Sequence, residues 1–297
     1  MSMFRNLLTA SQLDSALTFN IVASEGADTL SVNINGRGAL FVDWGDGSPI
    51  TRVNILTTHI YAYGEYVVRL TCDGTSNGYN YIKLDSSTVN IRSSNERWSV
   101  IPGLCAISCV GCANSELAFT SLPGVDNPTY SYNGAFNGAS AALLPLRKFP
   151  VTRGVNSFAA NCREAILPFN ELPDTVTGNI ANAFVNNVKA TFTITRIPEG
   201  VTSMNGAFQS CKLATIRLSR LPASVTSMSG TFAYSSLVMD LDEVAANAPD
   251  GGYAALTNLS SAFTDCAGVT GSRSRFLAAC PNATTNNYTF SGTNTTE

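Results

Sequence analysis

The chain predicts a mainly β protein: an N-terminal β-sandwich followed by a solenoid of short parallel strands joined by irregular or short helical arcs. Three observations predict it. A phenylalanine-centred motif returns about every 24 residues through the C-terminal two-thirds. Prolines keep a nearly fixed distance from that phenylalanine. The first 74 residues carry short alternating strands separated by turn dipeptides instead.

In chain order, residues 1–15 hold Phe4, Leu7, Leu8 and Leu13 and read as an N-terminal arm, either packed on the following domain or docking it to a larger assembly. Residues 16–74 form the sandwich. Strands are expected at 17–22, 29–34, 38–44, 52–56 and 65–71, with turns at Asn35-Gly36 and Asp46-Gly47. A Gly-, Ser- and Asn-rich junction follows over 75–87, and the repeats fill 88–297. Trp98 stands where it can cover the first apolar layer of those repeats or face a partner.

The repeat anchors are Phe136, Phe158, Phe184, Phe208, Phe232, Phe263 and Phe290, at spacings of 22, 26, 24, 24, 31 and 27. A proline lies 14 residues after Phe136, Phe184 and Phe208 (Pro150, Pro198, Pro222) and 15 after Phe158 (Pro173). A unit this short cannot bury its own apolar face, so each turn must stack on its neighbours, with the anchor ring inside. In 214–221 apolar and polar residues alternate as in a half-buried strand, which Pro222 then ends. An extra insertion surrounds 246–253.

Two resemblances follow from these residues. Ser203-Met-Asn-Gly-Ala-Phe208-Gln-Ser-Cys211, then a strand and Leu221-Pro-Ala-Ser-Val225-Thr, resembles the BspA-like leucine-rich repeats of bacterial surface and phage-encoded proteins. Val42-Asp-Trp44-Gly-Asp46-Gly47-Ser48 with His59-Ile-Tyr61-Ala-Tyr-Gly-Glu-Tyr66 resembles the PKD domain, an immunoglobulin-like sandwich. The second resemblance implies structural roles for Trp44, Asp46, Gly47, Tyr61 and Tyr66: an interior indole, a tight turn, and tyrosines whose hydroxyls reach polar partners. Asp43 and Asp46 are too few for a calcium site, which takes six to eight oxygens.

Cys112, Cys162, Cys211 and Cys266 fall three or four residues after an anchor position and read as a buried row of small hydrophobes. Cys105, Cys109 and Cys112 could offer thiolates to zinc, but a fourth ligand is lacking. No metal or cofactor is expected.

Only 13% of residues are charged and the net charge is −3, so a nucleic-acid partner is not expected. No apolar run is long enough for a membrane span, and the N-terminus does not read as a secretory signal. No nucleophile elbow, phosphate loop, dinucleotide fingerprint or zinc-protease motif occurs, so no enzyme is expected. Candidate binding residues are Tyr130, Tyr132, Tyr234, Tyr253 and Tyr288, for sugar or protein contact, and the Asp240 and Asp242 pair, for a cation or acid/base work.

The resemblances imply a non-enzymatic bacteriophage virion surface protein. It would serve as a receptor-binding or tail-associated adhesin or a capsid decoration, in multiple copies, beside other capsid or tail proteins and facing a host glycan or protein. A bacterial cell-surface adhesin and a structural virion component without a ligand are the alternatives.

Overall fold

The computed structural model describes residues 16–26, 28–37, 40–53, 55–72, 78–101, 103–104, 106–123, 132–145, 152, 154–163, 166–167 and 171–297. The arm at 1–15, Tyr130, Cys105 and Pro150 lie outside them. The protein is mainly β and built from several sheets.

Among the described residues the N-terminal part holds eight strands: β1 (Leu17–Ala23), β2 (Asp28–Arg37), β3 (Leu40–Asp43), β4 (Thr51–Val53), β5 (Leu56–Tyr61), β6 (Gly64–Cys72), β7 (Gly78–Asp85) and β8 (Asn90–Ser94). One sheet runs β4-β3-β6-β1-β8 with antiparallel pairing throughout. The other begins β5-β2-β7, also antiparallel. β1 alternates buried and less buried residues, so Leu17, Phe19, Ile21 and Ala23 enter a core shared with Leu30, Val32 and Ile34 of β2.

Three expectations are corrected here. Asn35-Gly36 is not a hairpin turn, because β2 continues through it to Arg37 with a register shift at that dipeptide. Its flexibility is used for a bulge instead. The junction expected at 75–87 contains β7, whose Ile82 and Leu84 are buried and which pairs on both sides. β8, placed at the start of the repeats by sequence, pairs with β1, so the two sheets reach Ser94.

Past Ser94 the pairing becomes parallel. β9 (Ala106–Ser108) joins β7 in parallel and thus extends the second sheet into the repeats. Then come β10 (Ile166–Leu167), β11 (Gly178–Asn179), β12 (Thr191–Ile194), β13 (Val201–Ser203), β14 (Thr215–Arg217), β15 (Leu237–Asp240) and β16 (Val269–Thr270). One parallel ladder is β10-β12-β14-β15-β16 and a second is β11-β13, prolonged by bridges Ser203–Ser227–Asn258–Thr285. Helices α1 (Leu241–Ala246) and α2 (Arg273–Ala278) occupy the longer turns. Pro173, Pro198 and Pro222 each open a turn whose carbonyl accepts the amide of Val176, Val201 or Val225.

Each anchor before Phe290 sits in a run of tight turns held to the next copy by a one-way ladder. The amides of Met204, Gly206, Phe208 and Ser210 donate to carbonyls of Ser227, Ser229, Thr231 and Ala233. The same four positions donate in the turns of Phe136, Phe184, Phe232 and Phe263. The intervening amides bond within their own turn, as Ala207 does to Met204. This alternation needs positive φ two residues before and two after the anchor, and Gly206 and Ser210 both stand at 61°.

That backbone register corrects one anchor. Positive φ falls at Ser157 and Asn161, and Phe136 donates to Phe158 O where the other anchors donate to the residue before the next anchor. Ala159, not Phe158, therefore fills the anchor position, and the Phe158 ring enters the core from one residue earlier. Phe136, Phe184, Phe208, Phe232 and Phe263 are buried anchors as expected, and Phe290 is half-buried.

Candidate functional site

Tyr234 stands two residues after Phe232, at φ 61°. Other turns fill this left-handed position with Gly138, Asn161, Asn186, Ser210, Asp265 or Gly292. Glycine is free there and Asn or Asp tolerate it, whereas a bulky side chain is strained by about 1–2 kcal/mol. Tyr234 recovers little by packing, since it is 47% exposed. A strained and exposed aromatic ring points to function rather than to stability.

The ring borders an open groove of about 650 Å³ that crosses three successive turns. Ser210, Tyr234 and Asp265 form one row at the same repeat position, and Lys212, Ser236 and Ala267 form the next. The lining side chains at the next two repeat positions become smaller along the stack, from Lys212 to Ser236-Leu237 to Ala267-Gly268. Gly268 is required, since a Cβ there would lie 2.4 Å from Leu237 O. Leu213 and Val238 add exposed apolar surface beside it. Neither Lys212 nor Asp265 has an ion-pair or side-chain hydrogen-bond partner among the described residues.

Of the other sequence candidates, Tyr288 is 78% exposed but outside the lining of the groove, and the remaining described ones have structural work. Tyr132 and Tyr253 are buried rather than available for contact. The Tyr132 hydroxyl donates to Pro123 O. That of Tyr253 donates to Val244 O at 3.0 Å and accepts the Leu221 amide at 3.2 Å, tying the insertion to the stack. Asp240 caps α1 by accepting the Asp242 amide at 2.9 Å, and Asp242 pairs with Arg275 at 3.2 Å. The two carboxylates thus serve a helix start and a surface ion pair.

The small-residue row also has a specific role. Cys162 Sγ donates to Phe136 O at 2.9 Å, Cys211 to Phe184 O at 3.0 Å and Cys266 to Phe232 O at 2.8 Å. Ser235 does the same for Phe208 O, and Asn187 for Ala159 O at 2.8 Å. Each turn thereby satisfies the anchor carbonyl of the turn before. Burial pushes the Cys162 and Cys211 thiols up to about 12, where they are inert. No cluster of three or more potential metal ligands occurs among the described residues.

At the N-terminal sheets, Asp46 Oδ2 meets His59 Nε2 at 2.7 Å, and the imidazole stacks on Trp44 at 4.8 Å. Trp44 is buried, its Nε1 donating to Thr51 Oγ1 at 2.9 Å. Tyr61 donates to Trp44 O at 3.1 Å and Tyr66 to Ala62 O at 3.2 Å. Asp43 accepts the Gly45 amide at 2.9 Å, and a Cβ on Gly45 would lie 2.5 Å from Val67 O. Gly47 turns with φ 85°. Burial works to raise the Asp46 carboxyl, but hydrogen bonds from Ser48 and His59 outweigh it and hold it at about 2. Sequence reasoning missed the Asp46–His59 pair, although both residues stood in the quoted motifs. No hydroxyl or thiol hydrogen-bonds the His59 ring among the described residues, so the pair pins the turn to β5.

No family model, curated protein or solved structure matches the chain. No helix among the described residues is long and apolar enough to cross a membrane.

Proposed function

We propose that the chain is a non-enzymatic binding or display module on the surface of a bacteriophage virion, acting as a tail-associated adhesin or a capsid decoration. In this reading the two antiparallel sheets are a PKD-like sandwich that meets other capsid or tail proteins. The parallel stack is a BspA-like leucine-rich-repeat solenoid turned outward toward a host glycan or protein. Many copies per particle multiply a modest affinity.

The observation that carries the binding role is Tyr234, a bulky aromatic held exposed in a left-handed conformation beside an open groove. The virion assignment rests on the sequence resemblances and on the weakly charged, Ser-, Thr- and Asn-rich composition. Immunogold electron microscopy on lysates and intact source cells tests it. Gold on phage tails is expected for an adhesin and gold over heads for a decoration. Labelling of uninfected cell surfaces with no particle marked would overturn the virion assignment.

A further inference from the structure

We propose that the Tyr234 groove binds a neutral oligosaccharide laid along the stack, a reading that rests on the binding role above. The amides of Ser210, Tyr234 and Asp265 are already spent on Ala233 O, Thr264 O and Ser291 O of the next turn. An extended peptide would find no free ladder to join here, so strand addition is ruled against. Recognition falls to side chains: one aromatic face, a carboxylate, an ammonium and the hydroxyls of Ser210 and Ser236. That set suits a ligand with an apolar ring face and a rim of hydroxyls.

The spacing agrees. Successive turns lie about 4.8 Å apart, the interval between paired strands and close to the length of one sugar ring. A sugar stacked on Tyr234 would direct neighbouring hydroxyls toward Asp265 one turn on and toward Ser210 and Lys212 one turn back. The single cation and single anion cancel, so the groove favours neither an acidic nor a basic polymer. Neither charge has a side-chain partner among the described residues, so a ligand in the groove would supply one.

The full chain would be applied to a printed array of neutral and acidic oligosaccharides, with hits followed by calorimetry. Binding to a subset of neutral members is expected. Tyr234→Asn should weaken it at least about tenfold, and Asp265→Asn and Lys212→Met about fivefold each. Tyr234→Phe, which keeps the ring, should stay within about threefold. Because Asn suits the left-handed position, Tyr234→Asn should melt no lower than the parent, which separates lost binding from lost folding. Silence toward every neutral member, or binding unchanged in Tyr234→Asn, would overturn the proposal. If gold still marks particles in that event, the virion role stands and only the ligand class falls.

Discussion

The ring planes of Phe184, Phe208, Phe232 and Phe263 lie 11°, 4° and 3° apart in succession, whereas Phe136, Phe158 and Phe184 meet at 81° and 65°. Both stretches are fully buried, and both keep the same one-way backbone ladder. The difference is a one-residue slip in sequence: Ala159 takes the anchor position and Phe158 fills the space from the side. The backbone register is therefore the constant of this fold, and side chains adapt to it. Aromatic packing tolerates either geometry, since edge-to-face and offset-stacked pairs are comparably favourable.

Breaking the regular half should have the largest effect. Phe208→Ala removes a ring sandwiched between Phe184 and Phe232 and should cost about 3–5 kcal/mol, a large part of a typical domain's stability. Chemical denaturation reads this directly. Phe158→Ala in the slipped half should cost about 3 kcal/mol, and the exchange Phe158→Ala with Ala159→Phe should recover at least about 1 kcal/mol of it by returning a ring to the column. An exchange variant no more stable than Phe158→Ala alone would show that the slip is not tolerated in reverse.

A smaller effect sharpens the same contrast. Asn187 holds the carbonyl row in the turn next to the slip, but its buried Oδ1 has no partner among the described residues. Asn187→Cys copies the residue of three other turns, keeps a donor for Ala159 O, and should stabilise by about 1 kcal/mol. The last effect lies outside the stack and depends on pH. The Asp46 carboxyl is held at about 2, below its ordinary value of 3.8, so its contribution is complete above about pH 5 and is lost as pH falls through about 2. A pH series of thermal melts should show that decline, and Asp46→Asn should remove it.

Much of this was legible beforehand. The period, the buried phenylalanines and the Trp44–Tyr61 corner follow from residue types whose preferences hold in any context. Even the slip left a trace, because Pro173 and Cys162 stand 15 and 4 residues after Phe158 but 14 and 3 after Ala159. What escaped was long-range pairing. Nothing local says that β7 joins both β2 and β9, or that Asn35-Gly36 lies inside a strand. The site was harder still: of the candidate tyrosines described, Tyr132 and Tyr253 are core, whereas Tyr234 and Tyr288 are exposed. What separates them is position in the turn. Tyr234 follows its anchor by two residues, a place other turns give to Gly, Asn, Ser or Asp.

Amide hydrogen exchange tests the one-way ladder most directly. The amides of Phe208, Phe232 and Phe263 donate to the following turn, while those of Tyr288, Phe290 and Gly292 in the last described turn have no partner among the described residues. The account predicts strong protection for the first three and fast exchange for the last three, with Thr289 and Ser291 between them slower through their own in-turn bonds. Protection at Phe290 equal to that at Phe263 would contradict it.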